Sequence, residues 1–297
     1  MGWRNVRILL LGKNGQLGHE LLGPLSCIGE VDARSREEAN LADLDSLRRA
    51  LDVAKPTVVV NAAAYTDVDG AERDPEAARK VNRDAVALLG EEAKKRRFGL
   101  VHVSTDFVFD GEKKSPYVET DEPSPINAYG QSKLEGERAL EELDAPAIVL
   151  RTAWVYSLRR KSFVTAILRA ARERDELRVV SDQIGNPTYC RDLAEAIALL
   201  VYGLRRDPHA QITEARGIYH LAGEGEVSRY DFARAILELD PKRDEQRAKR
   251  IVPIASSDYP LPARRPAYSA LRCTKFREAF GIRLPDWREA LARAFAG

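Results

Sequence analysis

The chain is predicted to fold as an α/β protein, a doubly wound parallel sheet with a smaller α/β domain at its C-terminal end. Three observations predict this. Apolar runs of strand length alternate with amphipathic stretches of helix length through the first half. The runs are continuous and β-branched, as in Val58-Val59-Val60, so both faces of the sheet should be covered. The first run passes through a glycine loop directly into a helix-like segment.

Taken in order, Val6-Arg7-Ile8-Leu9-Leu10-Leu11 is the first strand, followed by Gly12-Lys13-Asn14-Gly15-Gln16-Leu17-Gly18 and the helix-like Glu20-Leu21-Leu22. Glycine permits a tight turn and close backbone approach, and a helix N-terminus offers free N–H groups to a pyrophosphate. That order suits a dinucleotide and makes the sheet Rossmann-type. The spacing is GxxGxxG rather than GxGxxG, and three glycines in seven residues also make an ordinary turn, so the placement carries the weight. A short strand ending at Asp32, a helix over about 45–54 and a strand over 57–61 follow. A helix over about 75–97, a strand from Leu100, a helix over about 129–143 and a strand over 147–151 complete the first half. Beyond about residue 156 the pattern is more helical and richer in Pro and Arg, with short strands at 178–180 and 218–221. The expected division is an NAD(P)-binding Rossmann domain over 1–155 and a substrate-binding domain over 156–297, whose first segments return to the main sheet. The charge-rich stretch 240–247 reads as an exposed loop, and there are no internal repeats.

The chain has 297 residues, 44% hydrophobic and 31% charged, with 47 Lys+Arg nearly balancing 46 Asp+Glu. That balance argues against a nucleic-acid or membrane-surface partner. No stretch approaches the ~18 consecutive apolar residues of a membrane helix. Met1-Gly2-Trp3-Arg4 leads straight into the first strand, leaving no room for a signal peptide, so a cytoplasmic location is expected. Cys27, Cys190 and Cys273, odd in number and without CxxC spacing, read as reduced thiols rather than a disulfide or zinc framework.

Tyr129 and Lys133 carry the chemistry. Four apart at the head of a helix, they share a face, 24 residues after Thr105 at the end of a strand. A phenol ionises near pH ~10, and a nearby cation pulls that value down toward the range of efficient proton transfer. A hydroxyl at Thr105 would hold a carbonyl oxygen beside the phenol, which suits ketone reduction or its reverse. Taken alone, such a pair is more often a solvated helix face; the upstream glycine loop reverses that weighting.

These residues resemble the extended short-chain dehydrogenase/reductase superfamily, and more closely the dTDP-4-dehydrorhamnose reductases. The resemblance runs nearly end to end. It includes the glycine loop, Asn61-Ala62-Ala63-Ala64-Tyr65-Thr66, Ser104-Thr105-Asp106-Phe107-Val108-Phe109-Asp110-Gly111, and Tyr129-Gly130-Gln131-Ser132-Lys133. It continues through Arg151-Thr152-Ala153-Trp154-Val155-Tyr156, Asp182-Gln183-Ile184-Gly185-Asn186-Pro187-Thr188 and Arg265-Pro266-Ala267-Tyr268-Ser269-Ala270-Leu271. It implies that Tyr129 protonates the developing alkoxide, Lys133 holds the nicotinamide ribose and lowers the phenol's pKa, and Thr105 orients the carbonyl. Ser104 is the alternative hydroxyl, but strand alternation keeps both from facing the substrate.

Cofactor contacts are expected from Gly12, Gly15, Gln16, Leu17 and Gly18, from Asp43 and Leu44 beside the adenine, and from Ala62, Ala63, Ala64 and Tyr65. Plain packing is a compatible role for the alanines. Asp32 would bond the adenosine ribose of NADH and repel the extra phosphate of NADPH, whereas Lys13, Arg34 and Arg36 could pair with that phosphate, so both NADPH and NADH are expected to serve. Arg36 is as readily an exposed arginine as a ligand. Asp106 matches a substrate-contacting position. Trp154 would stack on the nucleotide base, or else pack in the core; His102 reads as a packed residue; and Asp182 to Thr188 forms either a shaped loop above the sugar or a tight turn.

Some members of this family are magnesium-bridged dimers, with an acidic ligand at the position of Glu20. Here the second acidic cluster reads Tyr189-Cys190-Arg191-Asp192, and an Arg among oxygen ligands disfavours a hard cation. No metal is therefore expected, and a homodimer is left open. The resemblance implies NAD(P)H-dependent reduction of dTDP-4-dehydro-6-deoxy-L-mannose to dTDP-L-rhamnose. Its rivals are a reductase of another nucleotide-linked 4-keto sugar for surface polysaccharide, and a non-enzymatic subunit like the regulatory subunit of methionine adenosyltransferase.

Overall fold

The computed structural model describes residues 6–296; the Met1–Arg4 segment, on which the signal-peptide expectation rests, lies outside the described residues. The first half runs β1 (Arg7–Leu11), α1 (Gln16–Ser26), β2 (Glu30–Arg34), α2 (Leu44–Ala54), β3 (Val58–Asn61), α3 (Val68–Arg73), α4 (Pro75–Arg79), α5 (Ala85–Arg96), β4 (Gly99–Thr105), α6 (Ala128–Glu142) and β5 (Ala147–Thr152). The second half begins β6 (Val155–Tyr156), α7 (Phe163–Glu173), β7 (Glu176–Val180), β8 (Ile184–Gly185), β9 (Thr188–Tyr189), α8 (Cys190–Gly203) and α9 (Pro208–Glu214). It ends β10 (Gly217–His220), β11 (Val227–Ser228), α10 (Arg229–Leu239), β12 (Arg250–Ile254), α11 (Thr274–Phe280) and α12 (Trp287–Ala296).

Six strands form one sheet in the order β10-β5-β4-β3-β1-β2, every pair parallel. The order reverses between β1 and β3, which opens a crevice at their C-terminal ends, the binding place of doubly wound sheets. Alternate residues feed opposite faces. Ile8, Leu10, Val58, Val60, Val101, Ile148 and Leu150 pack with α1, α8, Ile212 and Phe276. Leu9, Leu11, Val59, Leu100, Ala147 and Val149 pack with α2, α5 and α6. Continuous β-branched strands follow from this arrangement, because a strand covered on both faces has no polar side to alternate with.

Strand β10 and helices α8 and α11 belong to the main sheet and its cover, although they lie beyond residue 156. The smaller lobe has its own core around Tyr156, Val164, Phe232, Trp287 and Leu291. Its strands form two-stranded pairs: β12 with β7 over five residues, and β6 with β9 and β11 with β8 over two each. A further cluster of Val108, Phe109, Tyr117, Ala222, Tyr268 and Leu271 binds the loop after β4 to the C-terminal motif. The two halves are therefore interleaved, and a cut at 155/156 would sever the sheet from β10.

The helix expected over 75–97 is one rod with a π turn at Lys80–Asp84. There the buried Asn82 accepts from Tyr65 N–H at 2.9 Å and donates to Tyr65 C=O at 3.1 Å and to the Ser132 hydroxyl at 2.9 Å. The Asn82 side-chain amide thus holds the loop after β3 from within the widened turn, and π turns are frequent near functional sites. Among the described residues no helix is long and apolar enough to cross a membrane.

Candidate functional site

A cleft of about 800 Å³ lies over the C-terminal ends of β1, β3 and β4. Its volume is at the upper end of small-molecule sites, as two ligands side by side would require. One wall is the glycine loop, where Gly12, Gly15, Gln16 and Leu17 line the space. Gly12 has φ +90°, and a Cβ there would lie 2.9 Å from Ala63 N, so only glycine lets the two loops touch. Gly18 lies outside the lining; a Cβ there would sit 2.0 Å from Gly12 O, so it acts by seating α1 against the loop. Ala62, Ala63, Ala64 and Tyr65 line the facing wall.

Three of the residues expected on the cofactor side, Asp43, Leu44 and Asp32, lie outside the cleft lining. Asp43 caps α2, accepting from Asp45 N–H and Ser46 N–H at 3.0 and 3.1 Å, and Leu44 packs into the core beneath. The cleft wall at this point is Ala39, Asn40 and Leu41. Asp32 does not end its strand: β2 continues to Arg34, whose carbonyl receives Gly12 N–H and Lys13 N–H. Both Asp32 oxygens are instead held by Arg34 at 2.5 and 2.7 Å, and Lys13 pairs with Glu38 at 2.6 Å. Arg36 is the cation of this group that lines the cleft.

The chemical end of the cleft is built by α6 pressing on the end of β4. Asn127 caps α6 by accepting from Gly130 N–H at 2.7 Å, and a Cβ at Gly130 would lie 2.1 Å from Phe107 O. Glycine at 130 thus brings the helix head, and Tyr129 with it, against Thr105. The Thr105 hydroxyl donates to Asp106 Oδ1 at 3.1 Å and accepts from Phe107 N–H at 3.2 Å. Asp106 Oδ2 is buried without a partner among the described residues, and burial raises this carboxyl to about 6 against the pull of Ser269, Thr105 and Arg229. Ser104 turns away and gives its hydroxyl to Glu137 at 2.5 Å.

Lys133 is 1% exposed and donates to Val103 C=O at 2.8 Å. Burial lowers its pKa to about 8, with Glu137 opposing. Tyr129 departs from expectation. Burial raises the phenol to about 12; the Thr105 hydroxyl lowers it and the Asp106 carboxylate raises it further, while the Lys133 cation is not among the causes. The ammonium lies one turn back, turned to the strand backbone, so burial dominates.

Three cations of the cleft, Arg160, Lys161 and Arg229, were not expected from the sequence. Asp106 is the sole carboxylate in the lining among the described residues, facing Arg36, Lys133, Arg160, Lys161 and Arg229. The chain as a whole is only +1, so the excess is local and suits a ligand with several negative charges. Ser157-Leu158-Arg159-Arg160-Lys161-Ser162 is a visible basic run, but Arg229 has no local signal. Its guanidinium stacks 3.5 Å over the Trp154 ring and 4.9 Å from Phe163. Trp154 lines the cleft near Thr105 and Asp106, with φ +45°, and its indole fills the space a Cβ at Gly185 would need. Such backbone strain clusters at ligand sites. Glu20 lies 3.7 Å from Arg191.

A family model described as RmlD substrate binding domain matches residues 6–297. A dTDP-4-dehydrorhamnose reductase of Burkholderia thailandensis is 47% identical over 291 residues, covering 96% of this chain and 97% of that protein. One of Sinorhizobium fredii is 40% identical over 288 residues, 97% of this chain and 96% of that protein. The crystal structure of the Bacillus anthracis dTDP-4-dehydrorhamnose reductase in complex with NADP superposes with a TM-score of 0.87 at 29% identity, over 99% of each chain.

Proposed function

The chain belongs to the dTDP-4-dehydrorhamnose reductase family, and from that membership we propose that it reduces the C4 ketone of dTDP-4-dehydro-6-deoxy-L-mannose to dTDP-L-rhamnose, using NADPH or NADH. The observation that carries the reading is the meeting of Thr105, Asp106, Tyr129 and Lys133 at one end of a cleft whose other charged groups are cations.

When bound, the nicotinamide cofactor supplies the hydride. Gly12, Gly15, Gln16 and Leu17 suit its diphosphate: a Cβ at Gly15 would meet only Gly12 O, at 3.2 Å, so the loop forms a cradle that a side chain would fill. Arg36 suits a 2′-phosphate. Tyr129 is the general acid. A phenol held near 12 keeps its proton at neutral pH and gives it to the far more basic alkoxide. Lys133, one turn behind, stabilises the phenolate left after transfer. Thr105 places the ketone oxygen beside the phenol, and the unpartnered Asp106 Oδ2 accepts a sugar hydroxyl. Arg160, Lys161 and Arg229 meet the substrate's diphosphate. Trp154, next to the reacting groups, faces the sugar ring rather than the base. Three unpaired cysteines suit a cytoplasmic enzyme.

A coupled assay with the dTDP-keto sugar, following NADPH and NADH absorbance in parallel, tests this reading. Oxidation of either cofactor that depends on the keto sugar and yields dTDP-rhamnose is expected. No turnover with either, by a folded protein that binds both ligands, would overturn it.

A further inference from the structure

His102 stands behind Lys133 in the middle of the sheet, with no solvent exposure. Its Nδ1 lies 3.1 Å from Asn61 Nδ2 and its Nε2 lies 3.2 Å from Lys133 Nζ. The backbone fixes the Asn61 amide, because Asn61 Oδ1 accepts from Ala63 N–H at 3.1 Å. The amide NH₂ therefore faces the imidazole, and Nδ1 must accept. A neutral imidazole carries one N–H, so its proton sits on Nε2 and points at Lys133. Burial, with the lysine charge adding, holds the ring well below its usual pKa of 6.5 and hence neutral.

An ammonium at Lys133 would set N–H against N–H at this contact. The uncharged amine can accept from His102 through its lone pair while still donating to Val103 C=O. Other charged groups around Lys133 are few. On α6, Glu137 favours the ammonium, but Arg151 of β5 holds it at 2.6 Å and Ser104 of β4 at 2.5 Å. Tyr129 lies one turn before it, Asp106 follows β4, and β3 contributes the neutral Asn61.

We propose that His102 is a positioning residue that acts through Lys133: the tautomer fixed by Asn61 favours loss of the lysine proton and so sets the pH above which the reductase loses activity. Resting on the reductase reading, the proposal assigns the alkaline limb to Lys133, because its ammonium, one turn from Tyr129 in the same cleft lining, offsets the negative charge that proton transfer leaves on the phenol oxygen.

Two measurements test it. Nitrogen-15 correlation spectra of the imidazoles, with His102 identified among four histidines by its loss in H102L or its shift in N61D, report the tautomer without turnover. The Nε2–H form is expected, and the Nδ1–H form overturns the proposal. The second measurement is the pH profile of kcat. The wild-type limb should fall near pH 8, where Lys133 is held. In H102L it should move up by about half a pH unit or more. In N61D the new carboxylate accepts a hydrogen bond from Nδ1–H, so the ring proton moves to Nδ1 and Nε2 becomes an acceptor, moving the limb further up. A merely structural role would lower the melting temperature and leave the limb in place; an unmoved limb in both folded variants overturns the proposal. Absence of any turnover in the wild type defeats the reductase reading, while the tautomer spectrum still decides the His102 assignment.

Discussion

Both Asp32 oxygens are held by Arg34 and Lys13 is paired with Glu38, which leaves Arg36 as the cation of this group that lines the cleft. If Arg36 meets a 2′-phosphate, Arg36→Ala should raise KM for NADPH by about tenfold, ~1.4 kcal/mol, and leave KM for NADH nearly unchanged. Steady-state kinetics with both cofactors checks this; equal changes would remove Arg36 from the phosphate. Trp154→Ala makes a parallel test at the sugar end. With the indole under Arg229 in the cleft lining, kcat/KM for the dTDP-sugar should fall while affinity for free dTDP, measured by calorimetry, barely changes. A matched loss of both would return the ring to the base. Tyr129 and Lys133 were legible in the sequence because helix geometry puts residues four apart on one face, and Thr105 was chosen over Ser104 by the resemblance of its motif. Arg229 was not, because it arrives from the start of α10 and only the packed lobe puts it over Trp154. Asp43 lies outside the cleft lining for a local reason: its carboxylate is taken by the N-terminus of α2, and Ala39 to Leu41 line the cleft there.

Helix α6 is held to the sheet by a buried clamp. Glu137 accepts from Arg151 Nε and Nη2 and from Ser104, joining α6 to β5 and β4 directly behind the catalytic pair. Both ionised partners are at most 2% exposed. Glu137→Gln leaves the Arg151 cation uncompensated in the interior, a loss of roughly 3–5 kcal/mol. The melting temperature should fall by roughly 10 °C. Replacing both partners by leucine should cost less than E137Q alone, because no charge is then stranded. Thermal denaturation of the two variants checks the order; a double variant worse than E137Q would show that the clamp's specific geometry, not its charge balance, holds α6. The π turn in the α4–α5 rod was not legible, since its residues Lys80-Val81-Asn82-Arg83-Asp84 fit an ordinary helix. The signal lies in the partner: a Cβ at Gly136 of α6 would sit 2.1 Å from Asn82 O.

At the scale of the whole molecule, the parallel sheet was readable from its β-branched strands, whereas the interleaving of β10 and α8 depends on contacts between distant segments. Two of its buried groups make stability depend on pH. His102 and His220 are both fully buried; burial holds His102 well below its usual value and His220 down at about 3. Their folded pKa values lie below the unfolded value of ~6.5, so the unfolded chain binds protons first as pH falls. The stabilisation is full above ~6.5 and is lost on acidification, each histidine contributing about 1.4 kcal/mol per pH unit. Unfolding free energy measured in urea should therefore drop between pH 6 and 4.5, and His220→Gln should remove about one proton's worth of that slope. An unchanged slope would mean that His220 is protonated in the fold. If Tyr129 is the acid that completes ketone reduction, single-turnover reduction of the dTDP-keto sugar by Tyr129→Phe, saturated with NADPH, should slow by about 10² to 10⁴ with cofactor affinity kept, because the ring still packs and only the transferable proton is gone; a rate near that of the wild type would mean that the proton comes from another group.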